Sequence, residues 1–312
     1  MTLSTDFALS FASPRKLPKP RELAGRVVVL DIAFASEAGG HSFDSVTLPF
    51  ITGLGTRLAA WVDHHDSAHH ARYADDPRFV LATKAQHPAC PEMVSAELVA
   101  RAGKVDTLVC HVDFDGLASG AKWMRGGVEP YPGCDADARA IDTRIGHASA
   151  LGQRFDRAIR ARGRDAALLG LIVRHLASGL SDASLWAPID AAASELAKNE
   201  EVARDIARGF VILPARGVEH VRAVAFVDAT KFHGRYDKTT LLLLGQDRAP
   251  VAALVDTDNL SLAAAFDSGI SFLSLLSISG GMPTLVSIPK ARLEEALRTL
   301  GVSDGDIASV AG

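Results

Sequence analysis

The chain has 312 residues, 48% of them hydrophobic and 22% charged, with a net charge of −4. That length exceeds the about 250–300 residues at which single cores stop growing, so two domains are expected. The composition is that of an ordinary globular protein, and its mild acidity excludes a polycationic, DNA-coating protein. Cys90, Cys110 and Cys134 are odd in number and lack C-x-x-C spacing, so no disulfide partner or zinc knuckle is expected. No apolar run approaches the roughly 18 residues of a membrane span, and the basic residues of 1–20 follow its weakly apolar part, the reverse of a secretory signal. The expected setting is the cytoplasm, with no membrane partner.

In chain order, residues 1–20 are expected to form a flexible arm, rich in Pro and Lys. A first domain over 21–187 follows. Its runs "RVVVLDIAF" (26–34), "LAAWVDHH" (58–65), "RFVLAT" (78–83) and "DTLVCHVDF" (106–114) are apolar without alternation, which suits parallel strands buried on both faces. Helical patterns at 91–102, 116–125, 146–162 and 165–179 alternate with them, implying a doubly wound, mainly parallel α/β sheet. Residues 188–210 read as a connecting helix, opening at Pro188 and ending near Gly209. The last block, 211–312, has strand-like runs at 221–228, 239–244, 250–256 and 284–288 and a final helix at 289–301, a smaller mixed α/β domain.

Chemistry concentrates at strand ends. Asp31, the Asp63-His64-His65 run and the His111-Asp113-Asp115 run each lie at or just after the C-terminal end of an apolar strand. In an open parallel sheet those ends converge on one crevice. Carboxylates with neutral imidazoles suit Mn²⁺, and so many like charges packed together without a cation cannot all stay ionised. A pair of divalent ions is therefore expected, holding a bridging hydroxide for attack at phosphorus. Other readings stay open. Asp63-His64-His65 alone could be a solvated strand end, whereas an EF-hand is disfavoured because Gly116 falls at the fourth place from Asp113. His69 and His70 read as surface loop residues.

The "DHH" of 63–65 and "HVDFDGLASG" (111–120) resemble the two signature motifs of the DHH phosphoesterase superfamily. "VVVLDIA" looks like that family's strand ending in an isolated Asp, and "AIDTRIG" (140–146) is similar to a further D-T motif. The order departs from the family's, since Asp31 and DHH precede His111, as if the first unit had moved behind the second. Convergent strand ends can preserve a site through such a permutation, because chain order does not fix geometry.

The resemblance implies metal ligation by Asp31, His64, His111, Asp113, Asp115 and Asp142, with Asp31 bridging. Asp182 in "SGLSDASLW" is the rival for the last place. His65 is implied to face the substrate phosphate, and Asp63 to orient its neighbours. Two Mn²⁺ per chain are implied, with Mg²⁺ the alternative. "LSISGGMPTLVSIPKARLEEAL" resembles the Gly-Gly segment of the small domain that follows DHH domains, making Gly280 and Gly281 candidates for phosphate contact. Met282 stands where many members carry a His, and a plain Gly-Gly turn is the rival account. Lys231 and Arg235 in "DATKFHGRYDKTT" either add phosphate contacts or belong to a solvated loop.

The expected function is hydrolysis of phosphodiester bonds in short oligonucleotides or nucleotides. The alternatives are a small-molecule phosphatase or pyrophosphatase, or a non-catalytic nucleotide-binding module. A homodimer is an open option for assembly.

Overall fold

A computed structural model describes residues 7–36 and 41–310. These residues divide into two compact units, 7–35 with 42–196, and 36 and 41 with 197–310.

The first unit is built on a five-stranded sheet. Its strands are β1 (Ala8–Ala12), β2 (Val27–Leu30), β3 (Leu58–Asp63), β4 (Phe79–Leu81) and β5 (Thr107–His111), in the spatial order β1-β5-β2-β3-β4. Every neighbouring pair is parallel. Strand β2 explains the lack of alternation in the sequence. Val28 and Leu30 face one apolar cluster, Val27 and Val29 face another, and all four are fully buried. Apolar layers thus cover both sheet faces, and each Val- or Leu-sized side chain so buried contributes roughly 1.5–3 kcal/mol.

One layer holds α1 (Leu48–Leu54), with Trp61 of β3 buried beneath it. The indole N–H of Trp61 donates to the Ile32 carbonyl at 2.9 Å, so this large ring is buried without an orphaned donor. The opposite layer holds α2 (Ala96–Ala102), α3 (Phe114–Met124), α4 (Cys134–Thr143), α5 (Ala150–Arg162) and α6 (Ala166–Ala177). Helix α3 is buried at every position. Its approach to β5 depends on two glycines four residues apart. A Cβ on Gly116 would lie 2.7 Å from the His111 carbonyl oxygen, and one on Gly120 would lie 2.7 Å from Cys110 Sγ. The lack of a side chain at both places draws the start of α3 tight against the end of β5.

Helix α7 (Trp186–Ala207) carries the chain into the second unit. There a second five-stranded sheet contains β6 (Val211–Val218), β7 (Val221–Asp228), β8 (Val251–Val255), β9 (Asn259–Ala264) and β10 (Leu285–Pro289), in the order β10-β9-β8-β7-β6. Only β7 and β8 run parallel. Helices α8 (Lys238–Gln246), α9 (Leu293–Thr299) and α10 (Asp304–Val310) belong to this mixed α/β unit, with one further helical turn at Phe272–Leu275. The doubly wound parallel sheet and the smaller mixed unit are the architecture expected from the sequence.

Three local expectations are corrected. Residues 8–12, assigned to a flexible arm, form edge strand β1, paired in register with Thr107–His111 almost a hundred residues away; residues 1–6 of that arm lie outside the described residues. Residues 239–244, expected as a strand, lie in α8, because the Asp237 carboxylate caps the helix by accepting from the Thr240 N–H at 2.7 Å. A short apolar run such as "LLLL" cannot be told from a strand by periodicity. His69 and His70 are half-buried. The His69 ring stacks on Phe43 at 4.3 Å and the His70 ring stands edge-on to Phe34 at 5.4 Å.

Candidate metal centre

Three strand ends of the first unit, with the start of α3 and the end of α4, deliver its acidic and imidazole groups to one place. Asp31 follows β2 directly and adopts a left-handed backbone, φ 61°. Its N–H still donates to the Val62 carbonyl at 2.8 Å, so the chain turns sharply without breaking its link to β3. A non-glycine residue held in this region costs on the order of 1 kcal/mol or more and clusters at functional sites. Asp63 ends β3, and His64 and His65 follow it. His111 ends β5, Asp113 caps α3 by accepting from the Gly116 N–H at 3.0 Å, and Asp115 lies in its first turn. Asp142 comes from the last turn of α4.

The distances are short. His64 Nε2 lies 3.1 Å from Asp31 Oδ1 and 3.3 Å from Asp115 Oδ2. His111 Nδ1 lies 2.7 Å from Asp113 Oδ2 and 3.3 Å from Asp31 Oδ2. His65 Nδ1 lies 2.8 Å from Asp63 Oδ1 and 3.8 Å from Asp31 Oδ1. Three groups of donors are close enough to hold a cation: Asp31, His64 and His65; Asp31, His111 and Asp113; and His64, Asp115 and Asp142.

Asp31 is the centre of the arrangement and the most strained electrostatically. It is fully buried, and neither of its carboxylate oxygens has a hydrogen-bond partner. Asp115 Oδ1 and Asp63 Oδ2 are orphaned in the same way. Buried polar atoms in this number are costly unless something satisfies them. Burial pushes the Asp31 carboxyl well above its ordinary range, and the nearby Asp115 and Asp113 charges push it further. Burial works against the His111 imidazolium, but Asp113 and Asp31 outweigh it and raise His111 well above its usual value. Burial likewise opposes ionisation of Asp113, yet His111 holds that carboxyl below the usual range. The space between Asp31, His111 and Asp113 thus demands positive charge. A divalent cation fits that demand, with hard oxygen donors and one imidazole.

Two buried thiols stand near the cluster. Burial first, and then the Asp31 charge, push Cys90 and Cys110 up, so they stay protonated and are poor metal ligands. All three cysteines are free.

His64 and His65 are oriented by different devices. The His64 Nδ1–H donates to the His87 carbonyl at 2.7 Å, and because a carbonyl only accepts, Nε2 keeps its lone pair for the cluster. Asp63 accepts from the His65 ring at 2.8 Å; burial works against the carboxylate, but His65 holds it below its usual range. Burial, then the Lys84 charge, lower His65, which keeps that ring neutral near pH 7.

Sequence reasoning missed Lys84. Its side chain is 2% exposed, its Nζ lies 2.8 Å from His64 Nε2, and it donates to Asp142 Oδ2. Burial disfavours the ammonium, but Asp142, Asp115 and Asp31 together raise it above the ordinary lysine value. The signal was present, since Lys84 directly follows the run 78–83 and the same strand-end rule applies to β4. The Cys90 backbone N–H, which donates to Asp115 Oδ2 at 3.1 Å, carried no sequence signal.

Of the expected site residues, the structure brings together Asp31, Asp63, His64, His65, His111, Asp113, Asp115 and Asp142. Asp182 is exposed, caps residues 183–185, and stands in none of the donor groups among the described residues. Lys231 and Arg235 are exposed on the segment between β7 and α8 of the second unit. Gly280 is buried there, and Gly281 has φ 126°, a conformation glycine tolerates.

No protein-family model and no curated protein matches the chain. Among solved structures it is similar to a crystal structure of exonuclease RecJ bound to manganese, at 12% identity and a TM-score of 0.42, over 90% of this chain and 75% of that one. At that distance the chemistry has to be read from the side chains themselves. No helix among the described residues is long and apolar enough to cross a membrane.

Proposed function

We propose that this protein is a metal-dependent phosphoesterase acting on short oligonucleotides or nucleotides. One observation carries the reading: a fully buried carboxylate, Asp31, with both oxygens unpartnered, stands among His64, His111, Asp113 and Asp115. Asp31, His111 and Asp113 hold the ion in this reading, with Mn²⁺ favoured over Mg²⁺ by the imidazole content. When bound, such an ion acts as a Lewis acid toward a phosphoryl oxygen and lowers the pKa of coordinated water.

The protein's own groups do the rest. Asp63 fixes the tautomer and direction of His65, whose neutral ring is suited to accept or share a proton at the substrate phosphate. The bond from His64 Nδ1 to the His87 carbonyl keeps Nε2 facing the carboxylates. The Gly280–Gly281 backbone and the exposed Lys231 and Arg235 bind substrate phosphates.

The test is a panel of short RNA, a 3′-phosphorylated nucleotide and pyrophosphate, offered to chelator-treated protein with and without Mn²⁺. Turnover of the first or second that requires added Mn²⁺ and vanishes in Asp31→Asn supports the reading. Preference for pyrophosphate moves the substrate class. Binding of nucleotide with no turnover of any of the three makes the chain a binding module instead.

A further inference from the structure

A dinuclear centre needs two sets of free donors, and one set here is already engaged. Beside the Asp31, His111 and Asp113 set, the two remaining donor groups both draw on His64: one with Asp31 and His65, the other with Asp115 and Asp142. Lys84 Nζ lies within the latter group, 2.8 Å from His64 Nε2 and hydrogen-bonded to Asp142 Oδ2. His64 has a single lone pair to offer, because its other ring nitrogen donates to the His87 carbonyl. A metal ion at roughly 2.1 Å from that nitrogen would need the same lone pair.

We infer that the Lys84 ammonium takes the place of a second divalent cation, so that the centre holds one divalent ion, at Asp31, His111 and Asp113, and a fixed lysine charge at His64, Asp115 and Asp142. This rests on the metal-dependent reading above and puts one Mn²⁺ per chain in place of the two that the sequence resemblance implies.

Three features hold the lysine in place. Its side chain is among the largest fully buried ones in the protein. Its backbone N–H donates to Asp66 Oδ2 at 3.3 Å. Two residues earlier the Ala82 N–H donates to the Asp63 carbonyl at 2.9 Å, tying this segment to the end of β3. Withdrawing the ammonium would leave several buried carboxylates uncompensated. The chain thereby encodes as a side chain what a two-metal enzyme takes from solution. A monovalent ammonium also brings hydrogen-bond donors but no open coordination position, so activation of water belongs to the single ion.

The test counts metal rather than activity. The full-length protein is stripped with chelator, equilibrated with excess Mn²⁺, freed of unbound ion, and analysed for manganese and by electron paramagnetic resonance. The wild type is expected to bind one Mn²⁺ per chain, with the resolved hyperfine pattern of an isolated ion. Lys84→Met is expected to bind two, with the broadened spectrum of an exchange-coupled pair, and Lys84→Arg, which keeps the charge, is expected to remain at one. Two coupled ions in the wild type overturn the inference and leave the metalloenzyme reading standing, as does a folded Lys84→Met that still binds only one. No bound Mn²⁺ in any of the three overturns both. If Lys84→Met does not fold, the wild-type count and spectrum decide alone.

Discussion

The backbone N–H of Asp31 donates to the carbonyl of Val62 at 2.8 Å while Asp31 itself holds φ at 61°. One hydrogen bond thus ties the end of β2 to β3, and one left-handed residue sends a carboxylate into the cluster. Asparagine tolerates the left-handed region and removes the charge. Asp31→Asn is therefore expected to raise the melting temperature of the chelator-treated protein by a few degrees, about 2–4 °C per kcal/mol for a domain of this size. It is also expected to abolish the further rise that Mn²⁺ gives the wild type. Thermal melts with and without Mn²⁺ check both; a variant that Mn²⁺ still stabilises as the wild type contradicts the central role of Asp31.

Gly116 gives a second test, from outside the donor set. An added Cβ would meet the His111 carbonyl oxygen at 2.7 Å, His111 Cβ at 2.9 Å and Asp113 Oδ1 at 3.0 Å. Gly116→Ala should displace both His111 and Asp113 and cost about 1–3 kcal/mol through overpacking. Mn²⁺ affinity, measured by calorimetric titration, is expected to fall at least about tenfold, as for lost supporting contacts at metal sites. Unchanged affinity would show that the close fit of α3 on β5 does not set the donor geometry.

Asp137 supports the site from further away. Its carboxylate accepts from Tyr131 Oη at 2.7 Å, from the Ser149 N–H at 2.6 Å and from Ser149 Oγ at 2.5 Å. It thereby joins α4, which carries Asp142, to the start of α5. Asp137→Ala leaves buried donors unpaired and should cost about 2–4 kcal/mol in urea unfolding. Tyr131→Phe removes one bond only and should cost about 1 kcal/mol. Equal losses in the two variants would argue against the network.

A pH dependence is expected from Asp76 and Arg78. Arg78 Nε donates to Asp76 Oδ1 at 3.0 Å and Nη2 to Oδ2 at 2.7 Å. These hydrogen bonds hold the Asp76 carboxyl below its usual range. A carboxyl with a depressed folded pKa adds stability above its unfolded value, near 3.9, and that stability is lost as pH falls through the folded value. The pair is partly exposed, so its worth is at most about 1 kcal/mol. Asp76→Asn should be less stable than wild type by that amount near pH 7, with the gap closing toward about pH 3. A gap that does not change with pH would locate the effect elsewhere.

What could be read from the sequence was whatever rests on local residue order. The unalternating run 27–30 announced a strand buried on both faces, and Val27–Leu30 pack into two clusters. Asp31, His64 and His111 declared themselves by following strands, because parallel strand ends share one edge of the sheet. The runs at 8–12 and 259–264 stayed illegible, since a strand's place depends on partners distant in the chain. Ala8 pairs with Thr107, and Leu260 pairs with the distant Ile288 as well as with the nearby Val255.

By itself the sequence determined which residue types reach the ends of β2, β3 and β5, and therefore that a cation-demanding cluster forms. Only the tertiary structure decided how that demand is met. The burial of Lys84 and its approach to His64 Nε2 depend on how β4 pairs with β3 and where α4 sets Asp142. Strand order and helix position fix such distances through many weak, non-local contacts, and no short stretch of residues records them.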